Sequence, residues 1–336
     1  MAGLHPDRIR GLVEAYGSAD AVVGAIRRGR IEVTRRAAEA VERSSEAIGE
    51  VLAGIGVQPI WLGDPGYPDS LAVFPDAPDV LLVRGVIPAG PAVAVVGTRR
   101  CTTYGRSLAR SCGSAIAAAG WVVVSGLARG IDAEAHRGLL DVGGLGVAVL
   151  GSGPNVIYPP ENRDLHDSLV RGGGAVVTEY PPGTPPEAWR FPPRNRIIAG
   201  LSAAVVVIEA AVKGGALITA GAAIDQGKVV LAVPGDIDRE ASVGCNLLIR
   251  DGAVPVLGPD DLIEALSLIV GQPRPRDPVD ADGDRGVLAA LGAVGSSLED
   301  LVTVTGLGAD EVLAQVAHLE TAGKVIRIGG RVCRRS

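Results

Sequence analysis

The chain has 336 residues, enough for two or three domains, and only 3% are aromatic against 47% hydrophobic, so Ala, Val, Leu and Ile must build the core. No apolar run is long enough to span a bilayer and the N-terminus lacks a basic start followed by an apolar block, so we expect a cytoplasmic protein with no membrane partner. The formal net charge of −6 argues weakly against a surface coated with nucleic acid, although grouped basic residues can override it.

Residues 1–57 are predicted to form a small helical domain. Leu12, Val13 and Tyr16 recur at helical spacing before a break at Gly17-Ser18, and Ser18 is expected to cap a second helix. Such a bundle suits packing or dimerisation, and it also suits a clamp on the DNA backbone. The sequence leaves both open.

Residues 58–269 show the pattern of an α/β domain, entered through an irregular, proline-rich stretch. Short β-branched runs, most of them ending in glycine, recur at Val93–Gly97, Val122–Gly126, Val147–Gly151 and Ala204–Ala210. These runs predict a buried, mostly parallel sheet, and ligands of such sheets bind beyond the carboxyl ends of the strands. Helical patterns follow at Thr102–Ala119, Asp132–Val142, Glu161–Arg171, Leu217–Gln226, Asn246–Asp251 and Asp260–Ile269.

Arginines without nearby acids accompany these runs. Four lie between Gly97 and Arg110, and three more lie between Trp189 and Ser202. Glycine between a strand and a helix lets a phosphate approach free backbone N–H groups, and arginine forks pair with phosphate oxygens. We therefore predict one basic crevice that binds a polyanion.

No cofactor, metal or catalytic group is expected. Gly151-Ser152-Gly153 lacks the third glycine of a dinucleotide site because position 156 is Val, and AVKGGALIT lacks the P-loop frame. Asp132 and His136 would share a helix face and could do acid–base work, but a first-turn acid beside a partly buried histidine is the commoner arrangement. The cysteines show no metal-binding spacing and are predicted to be reduced.

Arg194 and Arg196 flank Asn195 ahead of an apolar run. If a helix starts near Asn195, the two side chains point about 200° apart around it. We expect one of them to face the crevice and the other to pair with Glu179 or Glu209. Arg194 is the one assigned to the ligand of the crevice, because it lies nearer the Pro-Pro loop and further from the apolar run.

Residues 270–284 are predicted to be a linker, and residues 285–336 a winged helix with three helices at Gly286–Leu291, Leu298–Thr303 and Asp310–Thr321 before a hairpin that turns at Gly329-Gly330. The third helix is acidic, and its segment carries no Lys or Arg from Ala309 to Ala322, so it would repel phosphates. Protein contact or weak wing contact is favoured over reading of the major groove.

Six segments in this order closely resemble the DNA-processing protein A (DprA/Smf) family: VAVVGTRRCTTYG, VVSGLARGIDAEAH, VAVLGSGPNVIYPPENRDL, FPPRNRIIAGLS, KGGALITA and VVLAVPG. The resemblance runs from about Ile60 to Leu266. It implies an extended Rossmann-like domain that binds single-stranded DNA, often with a SAM-like helical domain in front and a winged helix behind. It also implies a homodimer that delivers DNA to the recombinase RecA in natural transformation, and no family-wide catalysis.

The resemblance also implies site residues. The family's key basic residue corresponds to Arg99, its RNR motif to Arg194–Arg196, and a lysine that many members carry is replaced here by Pro160, for which Arg163 or Lys213 could compensate. The candidate DNA-binding set is Gly97, Thr98, Arg99, Arg100, Ser125, Gly126, Arg129, Gly151, Arg194, Asn195, Arg196 and Lys213. Since aromatic residues near these loops are few, phosphate contacts and strong salt dependence are expected.

Two other functions compete with this interpretation. Phosphoribohydrolases that cleave nucleoside monophosphates use related folds and glycine loops, but their PGGxGTxxE signature is missing and KGGALITA has no Glu in that frame. A purely scaffolding role would leave the acid-free arginine clusters unexplained.

Overall fold

The structure is a computed structural model that describes residues 6–42, 45–272, 287, 291, 296–305, 307–321, 325–328 and 330–334. The chain divides into two compact units at Gln272. The predicted linker, residues 270–284, lies outside the described residues from position 273 onward. Among the described helices, none combines the length and apolarity that crossing a bilayer requires.

The described N-terminal residues form four helices, α1 (Pro6–Tyr16), α2 (Ala19–Arg27), α3 (Arg35–Val41) and α4 (Ser45–Gly54). The predicted cap of α2 is confirmed, because the Ser18 hydroxyl accepts a hydrogen bond from the Ala21 backbone N–H at 3.1 Å. A small core around Val22 and Ile26 joins the first helices. The α4 helix ends the segment, with Leu52 in a cluster that also holds residues of the sheet.

The core of the larger unit is a nine-stranded sheet with the order β1-β2-β6-β5-β4-β3-β7-β8-β9. All neighbours from β6 to β9 pair in parallel, while β1–β2 and β2–β6 pair antiparallel at one edge. The predicted extended, mostly parallel Rossmann-like sheet is confirmed. The strands are β1 (Val57–Trp61), β2 (Val80–Gly85), β3 (Ala92–Val96), β4 (Val122–Ser125), β5 (Gly146–Val149), β6 (Ala175–Thr178), β7 (Ala204–Val207), β8 (Val229–Ala232) and β9 (Val254–Pro255).

The helices of this unit pack closely on the sheet and on one another. They are α5 (Asp69–Ala72), α6 (Thr103–Ala118), α7 (Ile131–Asp141), α8 (Arg163–Arg171), α9 (Phe191–Leu201), α10 (Gly215–Asp225), α11 (Glu240–Arg250) and α12 (Pro259–Val270). A Cβ added at Gly113 would overlap Ala135, and one added at Gly138 would overlap Arg110. Glycine on both helices therefore allows the backbones of α6 and α7 to touch.

Two helices start earlier than the sequence predicts. The α9 helix starts at Phe191 rather than near Asn195, because Pro192 and Pro193 occupy its first turn, where a missing N–H costs nothing. The α11 helix starts at Glu240 rather than Asn246, with an acid in the first turn.

The described part of the smaller unit contains α13 (Leu298–Thr305), α14 (Ala309–Thr321), β10 (Val325–Ile328) and β11 (Arg331–Arg334). The strands form an antiparallel hairpin whose last pair is Ile328 with Arg331. The turn predicted at Gly329-Gly330 includes position 329, which lies outside the described residues. Glu320 on α14 pairs with Arg327 on β10 at 3.2 Å. The first helix predicted here, Gly286–Leu291, lies outside the described residues except at its positions 287 and 291.

Arg196 anchors α9 to the carboxyl edge of the sheet. Its guanidinium donates to both carboxylate oxygens of Glu179, at 2.9 and 2.8 Å, and its Nε donates to the Asp76 backbone carbonyl at 2.9 Å. Both partners of the Arg196–Glu179 pair are largely buried. The expected pairing of one arginine of this segment with Glu179 is confirmed.

We predict that Arg196→Ala lowers the free energy of unfolding by about 3–5 kcal/mol, because it leaves the Glu179 carboxylate buried and unpaired. Denaturant unfolding at neutral pH measures the change. The matched control is Arg250→Ala, which removes an exposed arginine paired with exposed Asp251 and should leave the free energy of unfolding nearly unchanged. Equal stability losses in the two variants would contradict the prediction.

His136 lies on α7 with its side chain fully buried. Within the described residues neither ring nitrogen has a hydrogen-bond partner, and burial lowers the pKa of His136 from 6.5 to about 3. Below pH 6.5 the unfolded chain therefore binds a proton that the native chain does not. The contribution of His136 to stability is complete above that pH and is lost as the pH falls toward 3.

His136→Leu should remove this acid sensitivity. Between pH 7 and a pH of about 4.5 we expect the wild-type chain to lose about 2–3 kcal/mol more stability than the variant. Denaturant unfolding of both proteins at the two pH values measures the difference, and His166, which is also buried, contributes equally to both. Parallel pH dependences would show that His136 titrates like an exposed histidine.

Candidate nucleic-acid interface

A depression opens at the carboxyl edge of the sheet. It lies beyond β3, β4 and β5 and beside the start of α9, which is where parallel sheets of this kind bind ligands. Its lining residues are Arg99, Gly126, Ala128, Arg129, Tyr158, Pro159 and Phe191. We call it the crevice.

The loop after β3 carries exposed arginines on a firmly held backbone. The Thr98 N–H donates to the Glu209 backbone carbonyl at 2.8 Å, and the Thr98 carbonyl accepts from the Ile131 N–H at 3.3 Å. Arg99 and Arg100 are exposed, and within the described part of the chain neither has a carboxylate within 4.0 Å. The Arg99 guanidinium lies 4.7 Å from the centroid of the Phe191 ring, in a cation–π arrangement.

The loop after β4 is strained and held from both sides. Leu127 has a φ of +53°, a left-handed conformation that is rare for a bulky residue. The Gly126 N–H donates to the Asp132 carboxylate at 3.1 Å, and the Asn162 amide donates to the Leu127 carbonyl at 3.0 Å. Strain of this kind persists where the surroundings over-determine the backbone, and it is typical of binding loops.

Arg129 follows on the same loop and reaches the rim of the crevice. Its guanidinium lies 5.8 Å from the centroid of the Tyr158 ring and also pairs with the Glu161 carboxylate. About half of each charged side chain is exposed, so the pair contributes little to stability. A phosphate could therefore replace Glu161 at low cost.

Arg194 lies beneath the crevice floor and is 3% exposed. Its guanidinium donates to the carbonyls of Gly126, at 2.9 Å, and Val149, so it joins the ends of β4 and β5. Burial lowers the pKa of Arg194 to about 10, and Asp132 opposes this change. Burial also raises the pKa of Asp132, against the attraction of Arg194 and Arg99.

The structure therefore corrects the expected position of Arg194. Neither arginine of the RNR segment is solvent-exposed, because Arg194 lies against the carbonyls of Gly126 and Val149 and Arg196 lies against Glu179. Contact of Arg194 with DNA remains a prediction. Arg196 belongs to the Glu179 ion pair. Asn195 bridges α9 and α10 by donating to the Gly215 carbonyl at 3.2 Å.

The other candidate residues differ in their exposure to solvent. Ser125 is buried and donates to the Val95 carbonyl at 2.6 Å, so it belongs to the sheet framework. Lys213 and Arg163 are exposed but do not line the crevice. His136 is fully buried and therefore inaccessible for acid–base work, and within the described residues no cluster suited to a metal ion occurs.

The glycines of the loops allow close packing against the backbone. A Cβ added at Gly97 would overlap Ile131, one at Gly126 would lie 2.6 Å from the Arg194 guanidinium, and one at Gly151 would lie 2.8 Å from the Phe191 ring. Approach of a phosphate to the backbone N–H groups of these loops remains a prediction. These glycines let the side chains beneath the loops approach the backbone.

Two aromatic residues that the candidate set omitted lie in the crevice. The rings of Tyr158 and Phe191 are 5.9 Å apart at 41°, and each has an arginine over it. Both precede a Pro-Pro pair at the start of a loop or helix, which is the signal that the sequence offered. The crevice thus combines exposed cations with aromatic rings.

Comparisons with known proteins agree with this architecture. Residues 58–267 match the family described as DNA recombination-mediator protein A, and residues 270–331 match the DprA winged helix domain. Protein Smf of Escherichia coli is 37% identical over 279 residues, which is 80% of this chain and 75% of that protein. The DNA processing protein DprA of Bacillus subtilis is 38% identical over 214 residues, which is 63% of this chain and 72% of that protein.

Two solved structures share the fold. The X-ray structure of DNA processing protein A from Streptococcus pneumoniae has a TM-score of 0.64 and 33% identity, covering 78% of this chain and 93% of that one. The Helicobacter pylori protein, whose single-stranded DNA binding mode has been described, has a TM-score of 0.55 and 24% identity, covering 62% of this chain and 95% of that one. With the family match over most of its length, the chain belongs to the DNA recombination-mediator protein A family, the DprA/Smf proteins.

Proposed function

We propose that the protein binds single-stranded DNA in the crevice without regard to sequence and, as a homodimer, loads the recombinase RecA onto it. The observation that carries the proposal is Arg99, an exposed guanidinium over Phe191 with no carboxylate within 4.0 Å in the described chain. A cation in this position can neutralise a phosphate without first breaking an ion pair with a carboxylate. The process served is recombination, including natural transformation.

The geometry supports binding that ignores base identity. Arg99, Arg100 and Arg129 offer charge to the phosphates, which carry no sequence information. The rings of Tyr158 and Phe191 offer stacking surfaces, and every base has a π-face. Arg194 adds a buried positive charge below the floor, where the low dielectric strengthens its field.

Dimerisation and RecA loading are supported by an exposed apolar edge of the sheet and by the description of the family. The β9 strand ends one edge of the sheet, and Leu257, which follows it, and Leu268 on α12 are 78% and 86% exposed, which suits an apolar contact between two copies. The family description as recombination mediators supports delivery to a recombinase. The H. pylori relative binds single-stranded DNA with the same fold.

We propose no catalytic activity, and the absence of free base after incubation with nucleoside monophosphates would separate this function from that of a phosphoribohydrolase.

Arg99→Ala should weaken binding of an oligothymidine strand by about 10- to 100-fold, because one charge-assisted phosphate contact is lost. The slope of log affinity against log salt should become shallower by about 0.7, the value for one phosphate on a single strand. Fluorescence anisotropy at several salt concentrations measures both quantities.

The matched control for Arg99 is Arg250→Ala, which removes one exposed positive charge at the far end of α11. It should change neither the affinity nor the slope appreciably. A folded Arg99→Ala protein with the affinity and slope of the wild type would refute the role of Arg99 and, with it, the proposed binding site.

The smaller unit is predicted to be dispensable for strand binding, since Asp310 is exposed on α14 and Glu320 pairs with Arg327. A chain ending at Gly271 should therefore bind single-stranded DNA within a few-fold of the full chain. The same titration, performed on both chains at one salt concentration, provides the measurement. A loss of several orders of magnitude would place the main binding surface on the winged helix.

A further inference from the structure

Trp189 is one of only three tryptophans in the chain, and its side chain is 40% exposed. It lies in the short 3₁₀ turn Ala188–Arg190, immediately before α9 and two residues before Phe191. Its indole N–H donates to the Glu187 carboxylate at 3.0 Å. A large, partly exposed ring is thus held by its edge two residues before Phe191, which lines the crevice.

Arg190 supports the same ring from one face. Its guanidinium lies 4.1 Å from the Trp189 ring centroid and 5.0 Å from that of Tyr180, and it donates to Glu187 at 2.9 Å. The Arg190 side chain is 2% exposed, and within the described chain its Nε has no hydrogen-bond partner. Burial of a charged group with an unsatisfied donor is unfavourable. In return, the contacts with Arg190 and Glu187 fix the orientation of the Trp189 ring before a ligand binds.

We propose that the exposed face of Trp189 is a second stacking platform, which takes the base of a nucleotide adjacent to the one at Phe191. The proposal rests on the proposed binding of single-stranded DNA. Residues two apart on a helical turn point in widely different directions, so Trp189 and Phe191 serve different bases. Because Glu187 and Arg190 already hold the ring, little side-chain entropy is lost when a base stacks on it.

The residues near Trp189 favour a nucleobase as the group that stacks on its ring. The crevice beside Phe191 presents Arg99 and Arg129, so a ligand that spans both places must be flat at one point and anionic at the next. A single strand of DNA alternates these features along its length. An aliphatic protein segment would match the ring but would leave the arginines without anions.

The first experiment measures the affinity of Trp189→Ala and Trp189→Phe for an oligothymidine strand. We expect Trp189→Ala to bind about 5- to 150-fold more weakly, with an unchanged salt slope, because a stacking contact releases no counterions. Trp189→Phe should retain most of the affinity. Trp189→Leu covers Arg190 with an apolar side chain but offers no ring, so it should behave like Trp189→Ala even where the latter is destabilised.

An abasic strand of the same length separates stacking from phosphate contact. Wild type and Trp189→Ala should bind it equally, whereas Arg99→Ala should still bind it more weakly. Wild-type affinity in folded Trp189→Ala, or an equal loss on the abasic and the normal strand, would overturn the platform. If the wild-type protein bound no single-stranded DNA, the proposed function itself would fail.

Fluorescence reports the contact directly. Trp121 is buried and Trp61 is exposed on β1, so in Trp61→Phe the only exposed indole is that of Trp189. Titration of this variant with oligothymidine should quench its emission with the midpoint found by anisotropy. Saturated binding with unchanged emission would contradict stacking on Trp189.

Discussion

The buried guanidinium of Arg194 holds the crevice together. It reaches from α9 to the backbone carbonyls at the ends of β4 and β5, and it lies beside the equally buried Asp132. Asp132 in turn accepts the N–H of Gly126 and attracts Arg194 electrostatically, so these two side chains connect a helix, two strand ends and the strained loop at Leu127. Because Arg194 donates to both carbonyls from a buried position, its removal would leave these carbonyls without that donor and loosen the loops.

Small residues make this arrangement possible. The strands are largely Val and Ala, and glycine lies wherever a backbone passes over a side chain, as at Gly126 over Arg194 and Gly151 over Phe191. Any larger residue at these positions would lift the loop from its support. The exposed Arg99 and Arg129 therefore stand on a rigid base, although they are themselves surface side chains.

Charge is distributed unevenly in this acidic chain. A net charge of −6 coexists with a crevice in which exposed arginines lie above a buried one. The local field depends on this grouping, and aromatic rings beneath the cations keep them in place. The crevice thus offers both charges and rings, the two features that the proposed binding of a single strand would use.

Local patterns in the amino-acid sequence were sufficient to predict the sheet, most of the crossover helices and the Ser18 cap, because periodicity and turn residues act over a few positions. Charges near the ends of the predicted elements were sufficient to name Glu179 as one of two candidate partners for an arginine. Local patterns also located Arg99 at the end of β3. They could not reveal that Arg194 is buried, since burial depends on loops that are distant in the chain. The support of Trp189 by Arg190 and Tyr180, and the packing role of the glycines, likewise arise from contacts that exist only after the strands have assembled.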